Sequence, residues 1–171
     1  MVVAYWMVQK LTRELNDLQK KMMEKTTQLS NHQKYASRLG GSSILNLGNI
    51  AGLSSQILPR AMMFAQYSDQ ASSMSAMQNL QMMKMTGRIP YFNNPMMQMQ
   101  LEMSAFRQFK EEALKALKQQ EIAQMNEIEK EIQLEVNSIE MDIKKKEKQL
   151  DVYKDLASRK IEDTVPKFGL S

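Results

Sequence analysis

The sequence predicts an all-α fold, an elongated antiparallel helical hairpin with coiled-coil-like terminal helices and a shorter, methionine-rich helical middle. Three observations predict it. Apolar residues recur at steps of three and four over both ends of the chain. Glycine and proline number only 6 and 4 in 171 residues, which favours helix over sheet. Charge falls into blocks: residues 1–38 hold seven basic and three acidic residues, residues 39–101 hold only Arg60, Asp69, Lys84 and Arg88, and residues 102–171 hold thirteen basic and fifteen acidic.

The first element, residues 1–39, is a coiled-coil helix. Val8, Leu15, Met22, Leu29 and Ala36 take the a positions, and Leu11, Leu18, Lys25, His32 and Leu39 the d positions. Gly40-Gly41 ends it, with Arg38 in the last turn where a cation suits the helix dipole. Residues 40–94 form a neutral Gly- and Met-rich middle with its closing turn. Ser42 or Ser43 caps a short helix interrupted by Gly48 and Gly52, and the Gly48-x-x-x-Gly52 spacing lets another helix approach closely. Pro59 opens a longer helix that stops at Gly87, and "RIPYFNNP" turns the chain.

Residues 95–165 form one long helix. Asn94 caps it, and Pro95 sits where no amide donor is needed. At 1.5 Å per residue it spans roughly 100 Å, the length that makes the predicted hairpin elongated. Its seam runs through Met125, Ile128, Ile132, Val136, Ile139, Ile143, Lys146, Leu150, Tyr153 and Ala157, with a stutter between Ile128 and Val136. The predicted hairpin pairs Leu11, Leu15, Leu18, Met22 and Leu29 with Ile132, Val136, Ile139, Ile143 and Leu150. Residues 166–171 are a tail, and the whole is one structural domain.

Catalysis and cofactor binding find no support. The one histidine, His32, falls on a coiled-coil d position and reads as a polar residue fixing register. Asp69 is an isolated acid on a helix surface. The glutamates of "EIEKEIQLEVNSIEMD" alternate with lysines as a solvated face rather than a metal cluster. No phosphate loop, dinucleotide fingerprint or calcium loop is present. Thioethers bind Cu(I), but no histidine or cysteine stands beside the methionine clusters, so no metal or cofactor is expected. A net charge of +4 without an arginine-aromatic cluster gives no case for nucleic acid.

No run of apolar residues is long enough to span a membrane. The nearest, Leu39–Pro59, carries glycines, serines and asparagines and reads as buried in protein. "MVVAYWMVQK" lacks a preceding basic residue and a following cleavage site, so it does not read as a cleaved signal peptide.

The methionines carry the functional expectation. Met62, Met63, Phe64, Tyr67, Met74, Met77, Leu80, Met82, Met83 and Met85 cover more than one face of the middle helix, and Met96, Met97 and Met99 follow across the turn. A helix apolar on several sides needs neighbours on several sides. Further copies of the chain supply them most simply, in a helical filament or a ring. There are two alternatives: an adaptor or chaperone whose flexible thioethers receive apolar segments of a partner, and a membrane-active secreted protein that uses Leu39–Leu58 with the methionine helix.

In plan the chain resembles flagellins and the filament or needle subunits of type III secretion systems. The residues that carry the resemblance are the long terminal stretches "LTRELNDLQKKMMEKTTQLSNHQKYASRL" and "EIQLEVNSIEMDIKKKEKQLDVYKDLASRKI" around a divergent middle. The resemblance implies a non-enzymatic structural subunit and export without a cleaved signal peptide to an extracellular or cell-surface assembly, with a cytoplasmic location as the alternative. It also implies other components of a secretion or surface assembly as partners, beside copies of the chain itself.

Overall fold

The computed structural model describes residues 2–41 and 52–164, and they are all-α. Helix α1 spans Val2–Gly40, α2 spans Leu58–Met85 and α3 spans Pro95–Thr164. The short helix expected after Ser42, with Gly48, lies outside the described residues. By packing the chain divides into two compact units: Met1–Leu29 with Lys130–Ser171, and Ser30–Glu129.

The first unit is an antiparallel pair, the beginning of α1 against the end of α3. Two ion pairs fix its register: Lys146 with Glu14, and Lys25 with Glu135. The residue numbers of both pairs add to the same total, as one antiparallel register requires. Leu11 and Leu150, Leu18 and Ile143, Met22 and Ile139, and Leu29 and Ile132 share a total one greater. Leu11, Ile132, Ile143 and Leu150 are buried. Leu15, Leu18, Met22, Leu29, Val136 and Ile139 are half-buried. Full burial of an aliphatic side chain contributes about 1.5–3 kcal/mol. The two lysines that interrupt the apolar seam, Lys25 and Lys146, are half-buried, and each pairs with a glutamate on the facing helix. The Lys146 hydrogen bond holds the Glu14 carboxyl below its ordinary pKa.

The second unit joins the end of α1, all of α2 and the first half of α3. Its core is Tyr35, Leu39, Ile57, Ala61, Phe64 and Met125, with Leu53, Leu58, Leu117, Ile122 and Ile128 around it. Helix α2 runs antiparallel to α3. Going up α2, its ion pairs step down α3: Arg60 with Glu121, Asp69 with Lys110, Lys84 with Glu102.

The buried face of α2 is made of small residues. Ala61, Ser68, Ser72 and Ala76 recur at helical spacing and are all buried with Phe64. Small side chains let the neighbouring helix come close. The two buried hydroxyls are satisfied locally: Ser68 donates to the Ala65 carbonyl at 3.3 Å, and Ser72 to that of Asp69 at 3.1 Å.

The ends of the helices follow local rules. Gly41 N–H donates to the Arg38 carbonyl at 3.2 Å as α1 stops. Arg38 then crosses to the Gly52 carbonyl at 3.3 Å. A Cβ at Gly52 would sit 3.1 Å from that guanidinium, so the close approach expected at this glycine is made by an arginine side chain. Helix α2 closes in a Schellman arrangement, with Gly87 N–H to the Lys84 carbonyl at 3.2 Å and Arg88 N–H to that of Met83 at 3.0 Å. Gly87 has φ +66°, a conformation that suits glycine. Asn94 caps α3 by accepting the Met96 N–H at 3.0 Å.

Candidate functional site: the methionine face of the second unit

The turn between α2 and α3 is held by polar contacts on its flank. Lys84 pairs with Glu102 at 2.6 Å, Gln98 donates to Glu102 at 2.9 Å, and Phe92 N–H donates to the Gln98 side chain at 3.0 Å. The hydrogen bonds from Lys84 and then Gln98 lower the Glu102 pKa. Lower down, Lys110 pairs with Asp69 at 2.9 Å. These ties join α2 to α3 and leave the outer surface of both to thioethers.

Most of the candidate interface residues stand on that surface. Met62, Met63, Tyr67, Met74, Met77, Met82 and Met85 are exposed on α2, and Met96, Met97 and Met99 on α3. Met103, Tyr91 and Phe92 extend the set. Exposure reaches 88% at Met85. Leu80 and Met83 are half-buried. Phe64 is different: its ring turns inward and packs in the core with Tyr35, Leu39 and Met125. Its position explains this, since it lies on the Ala61–Ser68 side of the helix rather than with Met63 and Tyr67.

Ten of the 17 methionines are therefore exposed on this unit, while Met125 of the same unit is wholly buried. A thioether is apolar, flexible and polarizable, so it conforms to surfaces of different shape. A surface hollow of about 360 Å³, lined by Asn31, Lys34, Gly52, Leu53 and Ser54, contains none of these methionines.

The second unit also holds a polar tie that the sequence reading does not single out. Glu121 on α3 is 9% exposed. Arg60 of α2 donates to it twice, from Nε at 2.6 Å and from an Nη at 3.2 Å, and Tyr35 of α1 donates to it at 3.3 Å. Arg60 also donates to Gln124 at 3.1 Å. Burial, then the Glu121 charge and hydrogen bond, hold the Tyr35 hydroxyl well above its ordinary pKa. The Glu121 hydrogen bond likewise raises that of Arg60.

This arrangement is a clamp between three helices. Its carboxylate is consumed by a forked guanidinium and a phenol. The signal for it is Arg60, directly after Pro59 and one of only four charged residues in the block 39–101. Its acceptor was hidden among the many glutamates of the last helix.

His32 lies near this clamp. Burial and then the Arg60 charge lower its pKa, and its Nδ1 is buried with no partner among the described residues. Among the described residues no three of His, Cys, Asp and Glu gather as a metal cluster would, and no helix is long and apolar enough to cross a membrane.

In comparisons with known proteins, no family model, no curated sequence and no solved structure matches this chain. Of the expected likeness to filament and needle subunits, the structure supports only an all-helical architecture.

Proposed function

We propose that the chain is a non-enzymatic structural subunit that assembles with copies of itself, into a filament or ring, through the methionine face of α2 and the start of α3. One observation carries this reading: ten exposed methionines, with Tyr67, Tyr91 and Phe92, on one compact unit. Scattered apolar residues are ordinary on a protein surface, whereas a concentration of this kind marks an interaction surface.

Charge supports a like partner. Of the four charged residues between 39 and 101, Arg60, Asp69 and Lys84 are engaged within the chain by Glu121, Lys110 and Glu102. The face then offers little charge to select an acidic or basic partner, and an apolar surface is complementary to itself. Methionine suits repeated contacts that are not identical.

Light scattering and negative-stain microscopy of the purified chain test the reading. Particles growing with concentration support it. A chain that stays single at high concentration rejects it. The same thioether flexibility favours a second reading, an adaptor for apolar segments of a partner. That reading predicts a small fixed oligomer that binds apolar peptides in titration.

A further inference from the structure

We propose that the exposed methionines of α2 and the start of α3 form a reversible oxidation site, whose sulfoxide form does not assemble. The inference rests on the self-assembly reading and adds a means of control. The chain has 17 methionines and no cysteine, so thioethers are its only sulfur. A thiol, the usual first target of a peroxide, is not there to compete.

Accessibility then sorts the methionines. Met63, Met82, Met85, Met96 and Met99 are open to solvent, and Met125 of the same unit is sealed. Met23 and Met141, in the other unit, are also open at 67% and 68% and are not among the methionines of the proposed contact.

The chemistry needs a hydroperoxide. A sulfur lone pair attacks one oxygen of hydrogen peroxide, the O–O bond breaks as the S–O bond forms, and the proton on the transferred oxygen passes to the departing hydroxide, which leaves as water. The sulfur loses two electrons and the peroxide gains them. A thiol-dependent sulfoxide reductase reverses the step: two thiols supply the electrons, become a disulfide, and the oxygen leaves as water.

The physical effect is a change of solvation. A thioether prefers an apolar contact, whereas a sulfoxide oxygen is a strong acceptor that holds water. Burying it between two apolar faces costs its hydration. Oxidation and assembly therefore exclude each other: the sulfoxide keeps the face wet, and an assembled face shields its sulfurs.

The experiment uses the full chain and dilute hydrogen peroxide, with sulfoxide mapped by peptide mass spectrometry and particle mass read by light scattering. In the unassembled chain, Met63, Met82, Met85, Met96 and Met99 oxidise before Met125. The oxidised chain keeps its helical circular dichroism, fails to assemble, and recovers after treatment with the reductase. In the assembled chain these five are slowed, while Met23 and Met141 oxidise as before. A variant carrying leucine at Met23 and Met141, outside the proposed contact, assembles like the parent and is still dispersed by peroxide, because the sulfurs that matter remain.

An oxidised chain that assembles like the untreated one overturns the proposal and leaves self-assembly standing. So does a variant with leucine at Met23 and Met141 that peroxide no longer disperses. An untreated chain that never assembles overturns both.

Discussion

In the terminal helix pair, Leu11, Ile132, Ile143 and Leu150 turn inward beside the ion pairs Lys146–Glu14 and Lys25–Glu135, while Met23, Leu134, Met141 and Val152 stand exposed. In α2 the arrangement is inverted. Ser68, Ser72 and Ala76 turn inward, while Met63, Met77 and Met85 face out. Both regions satisfy packing, by different means. The terminal pair gains from burying large side chains between two helices. Helix α2 gains from close approach, which small residues permit and large ones obstruct. Large aliphatic residues therefore mark the buried seam of the first region, while the buried face of α2 is small residues around Phe64.

The comparison can be broken from the terminal pair first. Ile143→Asp places a charge at a site only 7% exposed. The first unit should lose at least about 4 kcal/mol, seen as a collapse of the urea midpoint by circular dichroism. Next is the clamp. Arg60→Met leaves the Glu121 carboxylate with Tyr35 alone and should destabilise by about 3 kcal/mol, the low end for a broken buried pair. The low end applies because Arg60 is itself 37% exposed. Adding Glu121→Leu should recover most of that loss, since an apolar pair can replace an ionic one. No recovery would mean that Tyr35 and Gln124 need the carboxylate in their own right.

The inversion in α2 is tested by size. Ala76→Leu raises hydrophobicity at a fully buried position and should still destabilise, by about 1–3 kcal/mol, through overpacking. A stabilised variant would show that room, and not close approach, governs this face. The smallest expected effect is at Met77, 58% exposed. Met77→Asp should leave folding within about 0.5 kcal/mol of the parent in urea melts and yet reduce assembly in light scattering.

Acid sharpens the same contrast. The pKa of His32 is depressed from its ordinary 6.5, first by burial and then by Arg60. A histidine held neutral in the fold contributes stability that is present above pH 6.5 and lost as pH falls below it. His32→Leu should flatten that loss in urea midpoints measured across the acidic range, while the carboxylates paired on the surface, such as Glu14, act only at lower pH.

The terminal helices were legible because large apolar residues at steps of three and four stand among charges. The cap at Asn94-Pro95 and the stop at Gly87 were legible because their chemistry is local. The buried face of α2 was not. Alanine and serine carry almost no hydrophobic contrast, so Ala61, Ser68, Ser72 and Ala76 left no pattern beside eye-catching methionines. Phe64 shows the cost: counted with its apolar neighbours, it belongs to the other side of the helix. The clamp escaped because a glutamate that accepts from a distant arginine looks the same in sequence as one that meets water. One further mark was visible in the chain: the division between the units at Glu129 and Lys130 falls within the stutter of the α3 seam.

The shared register of Lys146–Glu14 and Lys25–Glu135 has an evolutionary consequence. A single inserted codon in either terminal helix would swing everything beyond it by about 100°, carrying oily residues into water and both glutamates out of reach. Two whole turns, seven residues, would restore the phase within about 20°. Length variation in these helices is thus quantised, and descendants of this chain should differ there by phase-keeping steps of about seven, eleven or eighteen residues.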